Sequence, residues 1–264
     1  MKPIGKTGKR ICAAAVAALA VVAVAVAAVR CTGTQPEIVV PDVKAEPQRE
    51  GQIYLYGEWH GEQAVLDKEL ELWQGYYDQG ARDLFIEMPY YTAELLNIWM
   101  QEPDDAILDQ IYDDWRGTLS HTPEVRDFYR AIKASCPETV FHGTDVGHQA
   151  DTTGARYLER LTAEGRQDSR EYAAAETCIQ QGNAYYKDIG SAEAEAYREN
   201  TLAENFAAAR DALADVPVVG FYGSSHTDPA GREVESGVPC MAAQLAERYG
   251  DCLHTVDLTG GAGG

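Results

Sequence analysis

The sequence predicts an α/β domain, in which a mixed sheet is flanked by helices and carries a helical insertion, preceded by an N-terminal membrane-spanning helix. Three observations support this prediction. Short apolar runs alternate with amphipathic segments of helical period along residues 51–259. Residues 151–214 interrupt this alternation with helical sequence rich in Ala, Glu and Arg, and residues 11–29 are apolar throughout. The roughly 215 residues that follow position 50 are enough for a single domain with a full core.

Residues 1–31 predict a membrane anchor or signal segment. Four basic residues precede the apolar run and Arg30 follows it: Lys2, Lys6, Lys9 and Arg10. At about 1.5 Å per residue, the run just crosses a hydrocarbon core of about 30 Å. The basic residues before it favour an N-terminus inside the cell. We therefore expect a single-pass protein of the cell membrane with its C-terminal domain outside; secretion after signal cleavage is the alternative.

Composition limits the possible partners of the chain. Residues 32–50 contain three prolines and predict a linker, and residues 260–264 predict a disordered tail. The first 31 residues hold five basic and no acidic side chains, so the rest of the chain carries 17 basic and 42 acidic ones, a formal net charge of −25. Such a surface repels phosphate backbones, so nucleic acid is not an expected partner. Membrane contact would depend on the anchor.

The elements of the domain follow in order. Apolar runs predict strands at 53–56, 83–87, 139–142, 216–222 and 253–258, with Pro89 ending the second. The first helix, 62–79, places Leu66, Leu70, Trp73 and Tyr77 on one face. Helices are also predicted at 92–101, at 103–116 with Pro103 in the first turn, from Thr122 onward, and at 238–249. The insertion 151–214 is expected to break near Gly182 and near Gly190.

Titratable residues follow the predicted strands. The first strand ends in Gly57-Glu58-Trp59-His60, the second in Glu87, the third in Asp145, and the fourth in Gly223-Ser224-Ser225-His226. Ligands of open α/β sheets bind at the carboxyl ends of strands, so we expect these side chains to converge. Both histidines follow a glycine by three positions, which lets the backbone turn sharply beside a ligand. One such Gly-x-x-His segment means little; two, at two strand ends, indicate a site.

Ordinary structural roles compete with this interpretation. Glu58 is also placed to cap the following helix, and Asp145 to cap a turn. Strand alternation alone would turn Glu87 towards solvent. Arg198, which shares a helix face with Asn205, is typical of an exposed charged helix, and His148 is expected at the surface.

Five segments, GEWHG, LFIEMP, GTD, RENTLAEN and GFYGSSH, together resemble the superfamily of TraB/Tiki, ChaN-like and erythromycin-esterase-like proteins, over about residues 53–226. The two Gly-x-x-His motifs, the glutamate after strand two and the arginine in the long helix are most similar to the TraB/Tiki branch. That branch implies a metal-dependent, often membrane-tethered protease. The erythromycin esterases imply metal-independent hydrolysis, although they usually have one more residue between the Glu and the His. ChaN-like proteins imply haem binding.

The resemblance implies a role for each residue of the set. His60, Glu87 and His226 would bind Mn²⁺, Co²⁺ or Zn²⁺, and a metal-bound water would be acidified for attack on a peptide or small-molecule ester. Glu58 would move the proton and Arg198 would hold a carboxylate or an oxyanion. In the metal-free alternative, His60 is the base. Gly57, Asp145, Asn205 and Gly223 would support the site. Haem is the second cofactor to consider, with some of the 15 tyrosines as potential axial ligands.

Overall fold

The computed structural model describes residues 38–260, and its architecture is a five-stranded parallel sheet. The strands are β1 Ile53–Glu58, β2 Asp83–Pro89, β3 Val140–Asp145, β4 Val218–Gly223 and β5 Leu253–Asp257. Their order across the sheet is β3-β2-β4-β1-β5, and every pairing is parallel. The prediction of an α/β sheet is confirmed, but the expected mixed sheet is wrong. Each connection between consecutive strands includes at least one helix, which carries the chain back across the sheet so that the next strand can run parallel to the last.

Helices connect the strands and cover the sheet. They are α1 Gln63–Asp78, α2 Tyr90–Gln101, α3 Ala106–Asp114, α4 Pro123–Ser135, α5 Ala155–Ala163, α6 Arg170–Lys187, α7 Ala192–Ala212 and α8 Met241–Tyr249. A π-helical turn, Ala150–Gly154, leads into α5. The predicted helical insertion is therefore present, as α5 to α7 between β3 and β4. Within residues 38–260 no helix is long and apolar enough to span a membrane. The predicted span, 11–29, lies outside this part of the chain.

Alternating side chains of the strands supply two cores. Tyr54 and Tyr56 of β1 pack with α1 to α6 on one face of the sheet. Ile53 and Leu55 pack with α7 and α8 on the other. The two-residue period of a strand accounts for this division. Residues 38–50, assigned to a linker from the sequence, lie along the domain, where Val40 and Val43 pack against the first core.

Three details differ from the sequence predictions. The buried stripe of α1 comprises Val65, Leu66, Glu69, Leu72, Trp73 and Tyr76, so the helix is rotated from the predicted face. Pro103 precedes α3, which begins at Ala106. The side chain of Asp104 accepts the backbone N–H of Ala106 at this helix start. Gly182 lies inside α6 and ends no helix. A Cβ there would come within 2.0 Å of the Gly147 carbonyl oxygen, so close packing rather than helix termination requires the glycine.

Candidate active site

The strand order brings the predicted residues together. Because β4 lies between β1 and β2, the segment after β4 reaches the same edge as Glu58 and Glu87. Glu58 is paired in register with Gly223, three residues before His226. Gly57 allows a close approach, since a Cβ there would lie 2.4 Å from the Thr227 hydroxyl. The histidine-bearing turn after β4 can therefore pack directly against β1.

A bulge in β2 turns Glu87 into the site. The pairing between β2 and β3 shifts between Ile86 and Pro89, so two residues of β2 face one of β3. The strict alternation that would have sent Glu87 to solvent is broken there. Its side chain is only 7% exposed.

Glu87 is the centre of the polar network. One carboxylate oxygen accepts the Gly223 backbone N–H at 2.6 Å. The other accepts from Arg198 at 2.6 Å and lies 3.5 Å from Nε2 of His226 and 3.8 Å from Nε2 of His60. Burial would raise the pKa of Glu87, but the two histidines and the arginine hold it well below the ordinary value. Glu87 is therefore an ionised carboxylate shared by three cationic groups.

Arg198 is fixed by a second carboxylate. Its Nε and Nη2 donate to the two oxygens of Asp145 at 3.1 and 2.6 Å. Asp145 also accepts at 2.9 Å from Nε2 of His148, whose other ring nitrogen contacts the Tyr186 hydroxyl. Burial raises the pKa of Asp145, but Arg198 and His148 lower it far more. The bidentate pair aligns the guanidinium between Asp145 and Glu87.

His226 is buried behind Glu87. Its Nδ1 lies 2.5 Å from a carboxylate oxygen of Glu199, and the other oxygen of Glu199 accepts the Met241 backbone N–H at the start of α8. Desolvation lowers the pKa of His226, yet Glu87 and Glu199 raise it to about 10. Below that pH His226 is a buried imidazolium. It does not line the cavity described next, and it acts on Glu87 rather than on a ligand there.

His60 faces a cavity of about 290 Å³. Its Nδ1 lies 3.0 Å from Glu58, and its side chain is 32% exposed. Desolvation lowers its pKa, but Glu58 and then Glu87 raise it to about 9. No side chain of residues 38–260 hydrogen-bonds Nε2 of His60. Gly223 closes the site behind it, because a Cβ there would lie 3.2 Å from that same nitrogen.

The cavity lining combines polar and apolar side chains. The polar residues include Glu58, His60, Glu69, Glu87, Asp145, His148 and Arg198. The apolar residues include Leu66, Ile86, Val125, Phe128, Tyr129 and Phe221. This combination suits a small ligand that is apolar in part and reacts at the polar groups.

The structure places Asn205 outside the cavity. It donates to the Thr144 carbonyl oxygen and exchanges hydrogen bonds with Gln181, so it joins β3, α6 and α7. Its effect on the site is to hold α7, the helix of Arg198.

Three residues at the site were not predicted from the sequence. Glu199 follows Arg198 directly, and only Arg198 was selected as a candidate from this segment. His148, expected at the surface, hydrogen-bonds Asp145 and lines the cavity. Glu69 is a carboxyl in the buried stripe of α1, 1% exposed. A glutamate at a core position of an amphipathic helix was a usable signal, but the predicted helix face was rotated away from it.

The predicted metal ligands do not form a ligand set as they stand. Arg198 donates to the Glu87 oxygen that faces both histidines, and the second Glu87 oxygen is taken by Gly223. Nη1 of Arg198 lies 3.5 Å from Nε2 of His226. Among residues 38–260, no group of three or more His, Cys, Asp or Glu is arranged to hold a metal ion. The Glu87 oxygen nearest both histidines is thus bound by a guanidinium.

Comparison with known proteins shows the fold alone. No protein-family model matches the sequence, and no curated protein matches it significantly. A crystal structure of a Bacillus cereus protein superposes with a TM-score of 0.56 at 14% identity, covering 79% of this chain and 66% of that one. A succinoglycan biosynthesis protein gives 0.55 at 14% identity, with 78% and 65% covered. The chain therefore spans about two thirds of the length of these structures.

An erythromycin esterase is also similar in structure. A mutant of that enzyme in its open conformation superposes with a TM-score of 0.54 at 12% identity, covering 78% of this chain and 69% of that chain. This chain therefore shares its fold with an erythromycin esterase.

Proposed function

We propose that the protein is an ester hydrolase in which His60 activates water without a metal ion. The observation that carries the proposal is the setting of His60. The His60 side chain lines the cavity, its Nδ1 is held by Glu58, and its Nε2 has no hydrogen-bond partner in residues 38–260. An imidazole that is oriented by a carboxylate through one nitrogen and has no hydrogen bond at the other can serve as a general base.

The reaction needs one proton to move twice. Nε2 of unprotonated His60 takes a proton from water while the water oxygen bonds to the acyl carbon of the ester. The tetrahedral adduct then expels the alcohol, as the carbon–oxygen bond to the leaving group breaks and the His60 imidazolium returns the proton to the leaving oxygen. The products are an acid and an alcohol, so atoms and charge balance.

Arg198 supplies positive charge where the adduct forms. Its guanidinium lines the cavity and is held in place by Asp145 and Glu87. A cation that is oriented before the reaction stabilises the developing oxyanion without reorganisation. His226, buried and protonated, helps to keep Glu87 ionised. Glu87 in turn raises the pKa of His60, so the acidic network sets the pH at which the base operates.

A small ester fits the cavity better than an extended chain. A volume of about 290 Å³ lies at the lower end of the range for small-molecule sites. The erythromycin esterase with the same fold acts on an ester, which supports that bond class. Peptide hydrolysis, a divalent metal, haem, and a membrane or secreted location stay predictions. Calorimetric titration with Mn²⁺, Co²⁺, Zn²⁺ or haem tests the cofactors.

Hydrolysis of simple chromogenic esters tests the proposal. Full-length protein is assayed with 4-nitrophenyl acetate and butyrate, with EDTA and with each metal added. We expect turnover that EDTA leaves unchanged and that His60→Ala abolishes. His254→Ala is the matched control, because it removes an imidazole of β5 that hydrogen-bonds Gln52 and does not line the cavity. Turnover that survives His60→Ala, or that requires an added metal, would overturn water activation by His60 alone.

A further inference from the structure

A buried glutamate is among the residues that line the same cavity. Glu69 projects from the core stripe of α1 and is 1% exposed. Its Oε1 has no hydrogen-bond partner among residues 38–260. Glu69 is among the residues that line the cavity, as is Leu66 one turn earlier in the helix. Buried polar atoms without partners are rare, so this one calls for a physical explanation.

A second unpartnered group lines the same cavity. Trp115, at the end of α3, is 1% exposed, and its indole Nε1–H has no acceptor among residues 38–260. The other Trp side chains of the core are satisfied: Trp73 donates to Thr139, and Trp99 donates to Asp105. Five buried side-chain atoms of residues 38–260 lack a partner, and two of them, Oε1 of Glu69 and Nε1 of Trp115, belong to residues that line this cavity, where a ligand could be their partner.

We propose that Glu69 and Trp115 form a subsite that binds an uncharged oxygen-bearing group, a hydroxyl or a carbonyl, on an otherwise apolar part of the ligand. The subsite deepens the proposed hydrolase by defining which substrates it accepts, and it shares only the cavity with His60.

The charge state of Glu69 explains why the bound group is uncharged. Burial, and then the nearby Glu58, raise the pKa of Glu69 well above its ordinary value. A protonated carboxyl offers one donor and one acceptor, and the Trp115 indole offers one further donor. A ligand hydroxyl can accept from one of these donors and donate to the carboxyl oxygen. A ligand carbonyl can accept from either donor.

The neighbouring walls bind the apolar part of such a ligand. Phe128 and Tyr129 of α4 and Leu66 of α1 line the cavity with the two polar groups. Discrimination should be strong, because a ligand lacking the oxygen leaves the buried polar atoms unpaired, whereas a ligand bearing it satisfies them.

Binding of matched probes tests the subsite without requiring turnover. Benzyl alcohol, toluene and benzylamine are titrated into the full-length protein by calorimetry or ligand-observed NMR. We expect benzyl alcohol to bind about tenfold more tightly than toluene, as one buried hydrogen bond predicts. Glu69→Leu should abolish this preference and Glu69→Gln should retain it, because an amide keeps a donor and an acceptor. Trp115→Phe should reduce the preference severalfold.

Three results would overturn the subsite. The alcohol-to-toluene ratio of Glu69→Leu could equal that of the wild type, benzylamine could be the tightest probe, or benzyl alcohol could fail to bind. Unfolding midpoints of all variants identify any that have lost the fold. If Glu69→Leu has lost it, the expected result for Glu69→Gln still tests the subsite. His60→Ala should leave the ratio unchanged, so failure of the hydrolase proposal and failure of the subsite are distinguishable.

Discussion

The contact between Glu58 and His60 determines the pH at which His60 becomes a base. Glu58→Gln removes the negative charge 3.0 Å from Nδ1 but keeps an oxygen that can accept its proton. Desolvation opposes the raised pKa of about 9, and Glu58 is the largest contribution that raises it. An opposite charge this close shifts a pKa by about 1–3 units. The variant should therefore have a His60 pKa of roughly 6–8.

The pH dependence of kcat/KM for 4-nitrophenyl acetate measures this shift. Only unprotonated His60 can accept a proton, so activity should rise about tenfold per pH unit below its pKa and level off above it. In the wild type the rise should end near pH 9. In Glu58→Gln it should end about 1–3 units lower, at a reduced plateau because the weaker base transfers protons less readily. NMR titration of the His60 ring gives the pKa independently.

A rising limb that stays in place in Glu58→Gln, or that moves to higher pH, would refute the electrostatic argument. Loss of the limb in His60→Ala, with the limb retained in His254→Ala, assigns it to His60.

Three further predictions concern stability and site geometry. Asp145→Asn breaks the buried pair with Arg198 and should lower the free energy of unfolding by about 3–5 kcal/mol, measured by urea denaturation. Because the folded-state pKa of Asp145 is depressed, wild-type stability from this pair should be present above about pH 4 and lost as the pH falls. Glu69→Leu removes an unpartnered buried carboxyl and should raise the free energy of unfolding by about 1–3 kcal/mol. The raised pKa of Glu69 means that this gain should grow as the pH rises above about 4. Gly223→Ala places a Cβ 3.2 Å from Nε2 of His60 and should lower kcat while the urea midpoint changes little.

Each of these expectations has a contrary result. Asp145→Asn with wild-type stability would mean that the pair only breaks even against its desolvation. A less stable Glu69→Leu would show that the carboxyl has a structural partner. An unchanged kcat in Gly223→Ala would show that the end of β4 can move to accommodate the added Cβ. Asn97 is a control position for the stability measurements, because its side chain hydrogen-bonds the backbone of β3 and does not line the cavity.

Local sequence pattern accounts for the elements and for the main members of the site. The apolar runs identify all five strands, because a short continuous run of apolar residues is typical of a buried strand. The residues after those runs include Glu58, His60, Glu87 and His226. In a parallel sheet the carboxyl ends of all strands lie at one edge, so position along the chain was enough to collect them.

Which side chains contact one another at the site could be seen only in the tertiary structure. Adjacent residues on a helix point about 100° apart, so Arg198 and Glu199 both reach the site only because α7 lies over the end of the sheet. A bulge in β2 turned Glu87 inward against the two-residue period. No local pattern encodes either event, because both depend on contacts between distant segments.

By itself the sequence determined the α/β class, the strand ends and the polar side chains that they carry. Only the tertiary structure decided that β4 enters between β1 and β2, that Arg198 binds the Glu87 oxygen nearest both histidines, and that Glu69 lines the cavity with an unpartnered oxygen. The physical reason is range. Periodicity and turn chemistry act over a few residues, whereas strand order, charge pairing and desolvation are set by groups that meet only after the chain has folded.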